Sequence, residues 1–287
     1  PPMSIPRAYH QAVRLKDGRV VIMGGFTKVG SVYEPTPSVE IFDPNAGAFY
    51  TNGVMPLPGD AGRALFTAEL AYQDMGAIFL AGGLAKPAGA GETWVLYMPE
   101  VGPIGHGFLS TARFNHTMTF LPDYGGAAFP AEYFAFVLMG GQDGTKMLSS
   151  VEPIVIGPRN ADGFPVQIDL AGVTELPGGA RVRHQTVYVP QQGIAYVIGG
   201  FSDVAQTTAL DRIEIYREGE RRFNPGEVLF LGKARGDHTA LLMDYNTIFI
   251  AGGKGTGGIL GSSEVIVEEV ACDESNSCYF TPIVKSD

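Results

Sequence analysis

The chain has 287 residues, of which 45% are hydrophobic and 17% charged, a composition that supplies a sizeable core and argues against disorder. Its 39 glycines and 20 prolines favour many tight turns over a helix-rich fold. The 20 basic and 30 acidic residues give a net charge of -10 with no basic run, which excludes nucleic acid as a partner. No apolar run is long enough for direct membrane insertion.

The first group of predicted elements begins at Arg7, which His10 follows three residues later. An apolar segment, VVIM, then ends in Gly24 and Gly25, and the next segment, PSVEIFDP, carries Glu40. Apolar residues at consecutive positions of a short segment predict a strand that is covered on both faces. We therefore expect this stretch to form an antiparallel sheet of four short strands.

The same order of elements recurs four more times along the chain. The repeat arginines are Arg7, Arg63, Arg113, Arg181 and Arg235, and histidine follows three residues later at His10, His116, His184 and His238. The second repeat has Phe66 in that place. The glycine pairs are Gly24-Gly25, Gly82-Gly83, Gly140-Gly141, Gly199-Gly200 and Gly252-Gly253, and their first members stand 53 to 59 residues apart. A glutamate follows the glycine pair in four repeats, at Glu40, Glu152, Glu214 and Glu264. A fixed period of this length is typical of a repeat architecture.

The combination of Arg-x-x-His, an apolar strand that closes in Gly-Gly, Ser-x-Glu and a later aromatic residue resembles the kelch repeat. The resemblance implies an all-β, kelch-type β-propeller of five four-stranded blades, forming a single domain over residues 1–287. The expected blades are residues 7–58, 63–110, 113–176, 181–231 and 235–284. The third blade carries the insertion PDYGGAAFP between its first two strands, and the segment CYFTPIV supplies the outer strand of the fifth.

The repeated arginines, histidines and glycines are interpreted as packing residues. Paired glycines let backbone or a bulky side chain approach where any Cβ would collide, and the arginine and histidine then satisfy buried carbonyls or the repeat glutamate. The histidines could instead hold a metal, but each occupies the same place in a different repeat. We therefore predict no metal and no cofactor, and expect His106, which lies between glycines, to be a lone histidine in a surface loop.

Cys272 and Cys278 are the only cysteines and lie in the segment CDESNSC. Their close spacing favours a small disulfide loop in an oxidising compartment over zinc, which normally needs four ligands. Two free thiols in a surface loop are the alternative. The disulfide interpretation predicts an extracellular, cell-surface or periplasmic location.

The loops at the mouth of the propeller channel are the predicted binding surface, because variable residues there stand on a rigid frame. In kelch domains that recognise peptides, the residue two after the repeat arginine often faces that mouth. The resemblance therefore implies a binding role for Tyr9, Leu65, Asn115, Arg183 and Asp237. This mixture suits a polar protein segment or a carbohydrate, and the long loops 27–37 and 202–210 are expected to flank it.

The sequence contains no converging set of catalytic residues. It lacks the Gly-x-Ser-x-Gly elbow and the phosphate-binding loop, and its cysteines do not fit the copper site of galactose oxidase. The preferred function is therefore a recognition module without catalysis, which binds a protein or carbohydrate partner. Two alternatives remain: a carbohydrate-active enzyme, such as an oxidase or a sugar isomerase, and a structural subunit of a surface assembly.

Overall fold

The computed structural model describes residues 1–54, 62–72, 76–85, 89–124, 133–158, 160, 168–170, 172–272 and 278–286. All regular secondary structure in these residues is β-strand. The chain divides into two compact units. The first consists of Pro1–Met118, Gln142–Lys146 and Pro158–Gln167, and the second of Thr119–Gly141, Met147–Gly157 and Ile168–Asp287. The predicted single domain stays a prediction.

Two four-stranded antiparallel sheets form the frame of the first unit. Sheet 1 consists of Gln11–Arg14, Val20–Met23, Ser38–Asp43 and Ala48–Val54. Sheet 2 consists of Thr67–Tyr72, Ala77–Ala81, Thr93–Met98 and Gly102–Phe108. The first unit also contains two smaller sheets. One is a hairpin of Phe26–Val29 and Val32–Pro35, and the other consists of Arg63–Ala64, Leu84–Ala85 and Gly89–Ala90.

Three further antiparallel sheets account for most of the second unit. Sheet 3 consists of Thr117–Leu121, Phe134–Met139, Ser150–Ile156 and Ile168–Leu170, and Thr174–Glu175 also pairs with its third strand. Sheet 4 consists of Gln185–Val189, Ile194–Ile198, Arg212–Arg217 and Arg222–Phe230. Sheet 5 consists of Thr239–Leu242, Ile248–Ala251, Ser263–Cys272 and Cys278–Ser286. A small hairpin of Lys254–Gly255 and Gly258–Ile259 lies between its second and third strands in the chain.

In all five sheets the strands neighbour one another in chain order. The predicted all-β fold of four-stranded antiparallel sheets is thereby confirmed, and so is the outer strand that CYFTPIV supplies to the last sheet. The second repeat, which lacks both the histidine and the glutamate, forms the same four strands as the others. The predicted insertion PDYGGAAFP lies largely outside the described residues.

The hydrophobic core lies between successive sheets within each unit. Val21 and Met23 of sheet 1 share a buried cluster with Leu80 and Val95 of sheet 2. In the second unit, one cluster joins sheets 3 and 4 and another joins sheets 4 and 5. The second strands of sheets 2, 3 and 4 are buried at every position, as their consecutive apolar residues predict.

The second strand of sheet 5 departs from that prediction. Ile248 and Ile250 are fully buried, whereas Phe249 and Ala251, which point to the opposite face, are partly exposed. The segment IFIA is as apolar as its counterparts in the other repeats. One face of this strand is therefore fully buried, whereas the other is only partly buried.

Two regions are more ordered than the sequence suggests. Residues 27–37, predicted as a loop, contain most of a hairpin in which Lys28 pairs with Tyr33 across a turn at Gly30. His106 is exposed as expected, but the loop prediction is wrong, because His106 lies in a strand and pairs with Val95. In both places a neighbouring strand supplies hydrogen-bond partners that short-range sequence patterns do not reveal.

The two cysteines stand opposite each other in the backbone register of sheet 5. Their side chains and residues 273–277 lie outside the described part of the chain. The disulfide, and the secreted location inferred from it, therefore stay predictions.

Candidate functional site

The repeat arginines hold the glycine pair and the third strand of their own repeat together. The Arg7 guanidinium donates to the Gly24 carbonyl (2.9 Å) and the Ser38 carbonyl (3.0 Å), and forms an ion pair with Glu40 (2.6 Å). The side chains of Arg7 and Glu40 are 0% and 1% exposed. In this buried position the paired charges and their hydrogen bonds satisfy each other.

The same arrangement occurs in later repeats. Arg235 donates to the Gly252 carbonyl (2.8 Å) and pairs with Glu264 (2.6 Å), and Arg181 pairs with Glu214 (2.9 Å). In the second repeat, where the glutamate is missing, Arg63 instead donates to the Thr93 hydroxyl at 3.0 Å. The arginine contact is thus kept even where the sequence motif weakens.

The repeat glutamate also fixes the segment that leads into the arginine. Glu40 accepts hydrogen bonds from the backbone amides of Ser4 (2.7 Å) and Ile5 (3.3 Å), and Glu264 accepts one from Gly232 (2.6 Å). Burial alone would raise the pKa of the Glu40 carboxyl, but the hydrogen bonds from Ser4 and Arg7 outweigh it and hold that pKa below its ordinary value. The carboxylate is therefore ionised where its partners need a negative charge.

The glycine pairs connect each repeat to the next. The amide of the second glycine donates to the carbonyl of the following repeat arginine in four junctions: Gly25 to Arg63 (2.7 Å), Gly83 to Arg113 (2.8 Å), Gly141 to Arg181 (2.9 Å) and Gly200 to Arg235 (2.8 Å). All ten glycines of the pairs have positive φ. A Cβ at Gly140 would lie 2.8 Å from the Arg181 carbonyl and 2.9 Å from the His184 ring, too close for any side chain.

The repeat histidines pack between adjacent repeats. His116, His184 and His238 are 6%, 1% and 3% exposed, and the His116 Nε2 lies 2.9 Å from the Thr67 hydroxyl. Burial lowers the pKa of His116 well below its ordinary value. Burial also lowers the pKa of His238 to about 4; Arg235 adds to this shift and Asp237 opposes it. Near neutral pH both rings are therefore uncharged packing groups.

The Arg+2 positions, defined as the residues two after each repeat arginine, share an unusual backbone conformation. Their φ values lie between 53° and 57°, in the left-handed region that residues other than glycine rarely adopt, at Tyr9, Leu65, Asn115, Arg183 and Asp237. In the first unit Leu65 donates its amide to the Tyr9 carbonyl (3.3 Å), and Asn115 donates to the Leu65 carbonyl (3.2 Å). In the second unit Asp237 donates to the Arg183 carbonyl (3.1 Å). The structure thus brings three of these positions together in the first unit and two in the second.

Tyr9, the first of the Arg+2 residues, borders an aromatic surface. The side chain of Tyr9 is 56% exposed and meets Phe26 edge to face, with the ring centroids 6.2 Å apart. Phe26 begins the hairpin that the sequence did not predict, and this hairpin exposes Val32 and Tyr33 to 57% and 68%. Isolated exposed apolar residues are common, but here they lie on one projecting element beside a predicted binding residue.

The Arg+2 positions of the second unit form a polar surface. Arg183 pairs with Asp237 at 2.8 Å, with both side chains partly open to solvent. Nearby, the Lys254 ammonium donates to the Gln206 carbonyl (3.2 Å) and lies 5.9 Å from the centre of the Phe201 ring. Sequence reasoning missed Lys254 and Phe201, although both directly follow a glycine pair, at the point where the apolar strand gives way to a loop.

Within the described ranges, no group of three or more His, Cys, Asp or Glu side chains could hold a metal ion. The same ranges contain no helix long and apolar enough to cross a membrane.

Comparisons with known proteins add a fold relationship. No family model and no curated protein matches the chain. Among solved structures the chain is similar to the one described as "Structure of YjhT", with a TM-score of 0.63 and 11% sequence identity over 96% of this chain and 84% of that chain. At this level of identity the likeness shows a shared fold and nothing further.

Proposed function

We propose that the five sheets are the blades of a kelch-type β-propeller, and that the protein is a recognition module without catalysis that acts outside the cytoplasm. It binds a polar protein segment or a carbohydrate through the Arg+2 positions and the loops beside them. The periodic order of the repeat residues and the similarity in fold to a solved structure support the propeller. The backbone of the Arg+2 positions supports the binding role.

One observation carries this proposal: five residues of different chemistry share the same left-handed φ. A non-glycine residue in this region costs about 1–2 kcal/mol, so the surrounding structure must impose it. Hydrogen bonds between successive repeats do so, and they leave the side chains on fixed backbone sites, with Tyr9 and Asp237 exposed. A rigid backbone with variable side chains is the arrangement that recognition loops need.

The chemistry of these side chains defines the kind of ligand. Tyr9 offers an amphipathic ring that loses little conformational entropy on binding, and Asn115 offers both a donor and an acceptor. Arg183 and Asp237 already form an ion pair, so a ligand would have to exchange hydrogen bonds with that pair. These groups favour hydroxyl, amide and carboxylate partners over purely apolar ones.

Arrays of oligosaccharides and of peptides test the proposal and separate the two ligand classes. For any oligosaccharide or peptide that the wild-type chain binds on the arrays, we expect Tyr9→Ala and Asp237→Ala each to weaken binding by tenfold or more. Tyr245→Ala is the control, because Tyr245 is 76% exposed and lies in the turn between Leu242 and Ile248, at the far end of the strand from Asp237. Retention of full affinity in both variants, with thermal unfolding unchanged, would remove the Arg+2 positions as the binding site.

A further inference from the structure

The arginine of the second repeat differs from the other repeat arginines in how its charge is balanced. Arg63 is 5% exposed, and the described residues offer it two hydrogen-bond acceptors, the Gly82 carbonyl at 3.1 Å and the Thr93 hydroxyl at 3.0 Å. Both acceptors are neutral. Within the described part of the chain no carboxylate forms an ion pair with Arg63, so its positive charge is buried without a direct counter-charge.

The first and last repeats show what a repeat arginine receives elsewhere. Arg7 makes five hydrogen bonds, as many as its guanidinium has N–H groups, and Glu40 is the charged acceptor among them. Arg235 also makes five, with Glu264 as the charged acceptor. Arg63 makes only two with described residues, and its buried Nε atom has no partner. Three of its N–H groups therefore still need an acceptor.

The sequence of the third strand explains this difference. Val95 pairs with Leu80, two residues before the glycine pair, just as Glu40 pairs with Ile22 in the first repeat. Val95 is thus the residue at the glutamate position, and its buried side chain has no acceptor atom. Thr93, two residues earlier on the same face of the strand, accepts from the arginine but brings no charge.

Deprotonation does not relieve the buried charge. Burial lowers the pKa of the Arg63 guanidinium and the exposed Glu92 opposes this shift, but an arginine in a protein stays protonated near neutral pH. A buried charge without a partner costs far more free energy than a paired one. The second repeat therefore gains stability from a negative charge that reaches the guanidinium.

We propose that Arg63 and Thr93 hold a small monovalent anion of the chloride type at the place that the repeat glutamate occupies elsewhere. The N–H groups of Arg63 that lack a described acceptor donate to this anion. The Thr93 oxygen accepts from Arg63 and leaves the hydroxyl hydrogen to donate to it as well. A glutamate carries one negative charge, and a chloride ion is similar in size to its carboxylate group, so chloride restores the charge balance of the other repeats.

Thermal unfolding in sodium chloride and in sodium gluconate, each at about 100 mM, tests this site, because gluconate has the same charge but is too large to be buried there. Val95→Glu restores the carboxylate of the other repeats, so this variant needs no anion. We expect the unfolding temperature of the wild type to rise from gluconate to chloride by about 2–4 °C more than that of Val95→Glu. Tyr245→Glu is the matched control, because it adds the same charge at a residue that is 76% exposed, and it should respond like the wild type.

The width of the chloride-35 magnetic resonance line detects the bound ion directly. The wild-type chain and Tyr245→Glu should broaden the line, whereas Val95→Glu should broaden it much less. Arg63→Gln removes the cation and should also lose the broadening. If Arg63→Gln does not fold, the comparison of Val95→Glu with Tyr245→Glu still decides, since glutamate is the residue that the other four repeats carry at this position.

Equal salt responses and equal line widths in the wild type and Val95→Glu would overturn the proposal. Asp60 is the carboxylate nearest to Arg63 in the sequence and lies outside the described residues. If Asp60 supplies the counter-charge instead, Asp60→Asn will lower the unfolding temperature equally in both salts and the wild type will not respond to chloride, which also overturns the proposal. None of these results bears on ligand binding at the Arg+2 positions, so the two proposals fail separately.

Discussion

At the residue scale, the left-handed backbone of the Arg+2 positions comes from their place in the fold. Asn115 and Asp237 belong to the residue types that tolerate this region, whereas Tyr9, Leu65 and Arg183 do not. The conformation is nevertheless the same at all five, with φ between 53° and 57°. The hydrogen bonds between repeats therefore set the backbone, and the side chains there are free to vary.

Exchanging Leu65 measures this backbone strain. Leu65→Asn should raise the free energy of unfolding by up to about 1 kcal/mol, because asparagine tolerates positive φ. Leu65→Val should lower it by about 1–2 kcal/mol, because a β-branched residue fits this region worst. Urea unfolding of the two variants gives both values, and equal effects would contradict an imposed left-handed backbone.

The buried histidines make the stability of the protein depend on pH. Burial lowers the pKa of His238 to about 4, so between pH 6.5 and 4 the unfolded chain binds a proton that the folded chain does not. The neutral His238 ring makes its full contribution to the free energy of unfolding above about pH 6.5, and this contribution is lost as the pH falls towards 4. For His238, which is 3% exposed, the loss by pH 4.5 amounts to about 2–3 kcal/mol.

His238→Phe isolates this contribution. The second repeat already holds Phe66 in the same place, and neither ring nitrogen of His238 has a hydrogen-bond partner among the described residues. Between pH 7 and 4.5 we expect the variant to lose about 2 kcal/mol less stability than the wild type. Urea unfolding at the two pH values measures the difference, and identical losses would show that the His238 ring is not kept neutral.

At the element scale, the glycine pairs decide how closely one sheet approaches the next. Gly140 and Gly252 have φ values of 60° and 67°, so an alanine meets the same backbone strain at either site. A Cβ at Gly140 collides with the Arg181 carbonyl, but a Cβ at Gly252 has no described atom nearer than 3.9 Å. The two positions therefore differ only in what packs against them.

Gly140→Ala should consequently destabilise the chain by about 2 kcal/mol more than Gly252→Ala. Both variants pay a similar cost of about 1 kcal/mol for positive φ, and the remainder is the steric clash at the junction. Urea unfolding at low protein concentration gives the comparison. If the two substitutions lower the free energy of unfolding equally, the glycine pairs are needed for their positive φ and not for close packing between sheets.

The sequence predicts the sheets well because their signals are local. Each apolar run ends in a glycine pair, and the period places every sheet, including that of the second repeat, where Thr93 replaces the missing glutamate. The partial exposure of Phe249 and Ala251 could not be predicted, because IFIA is as apolar as the buried runs and exposure depends on the neighbouring elements. The left-handed backbone at Tyr9 and Leu65 could not be predicted from the sequence either, because tyrosine and leucine rarely adopt positive φ.

At the scale of the whole molecule, one docking contact recurs along the chain: the amide of the second glycine of a pair donates to the carbonyl of the following repeat arginine, at four junctions. The Arg+2 residues, which are proposed to recognise a ligand, take their left-handed backbone from the hydrogen bonds between successive repeats. The fold is shared with a solved structure at only 11% identity, so very different sequences can form it. The proposed ligand binding then depends on side chains that the repeat contacts leave exposed, such as Tyr9 and Asp237.

Hydrogen exchange at the second glycine of each pair tests the docking contact most directly. The amides of Gly25, Gly83, Gly141 and Gly200 each donate to the arginine carbonyl of the following repeat, and no described arginine carbonyl accepts from Gly253. In the monomeric chain we predict slow exchange at the first four and fast exchange at Gly253. Exchange at those four amides as fast as at Gly253 would contradict the account.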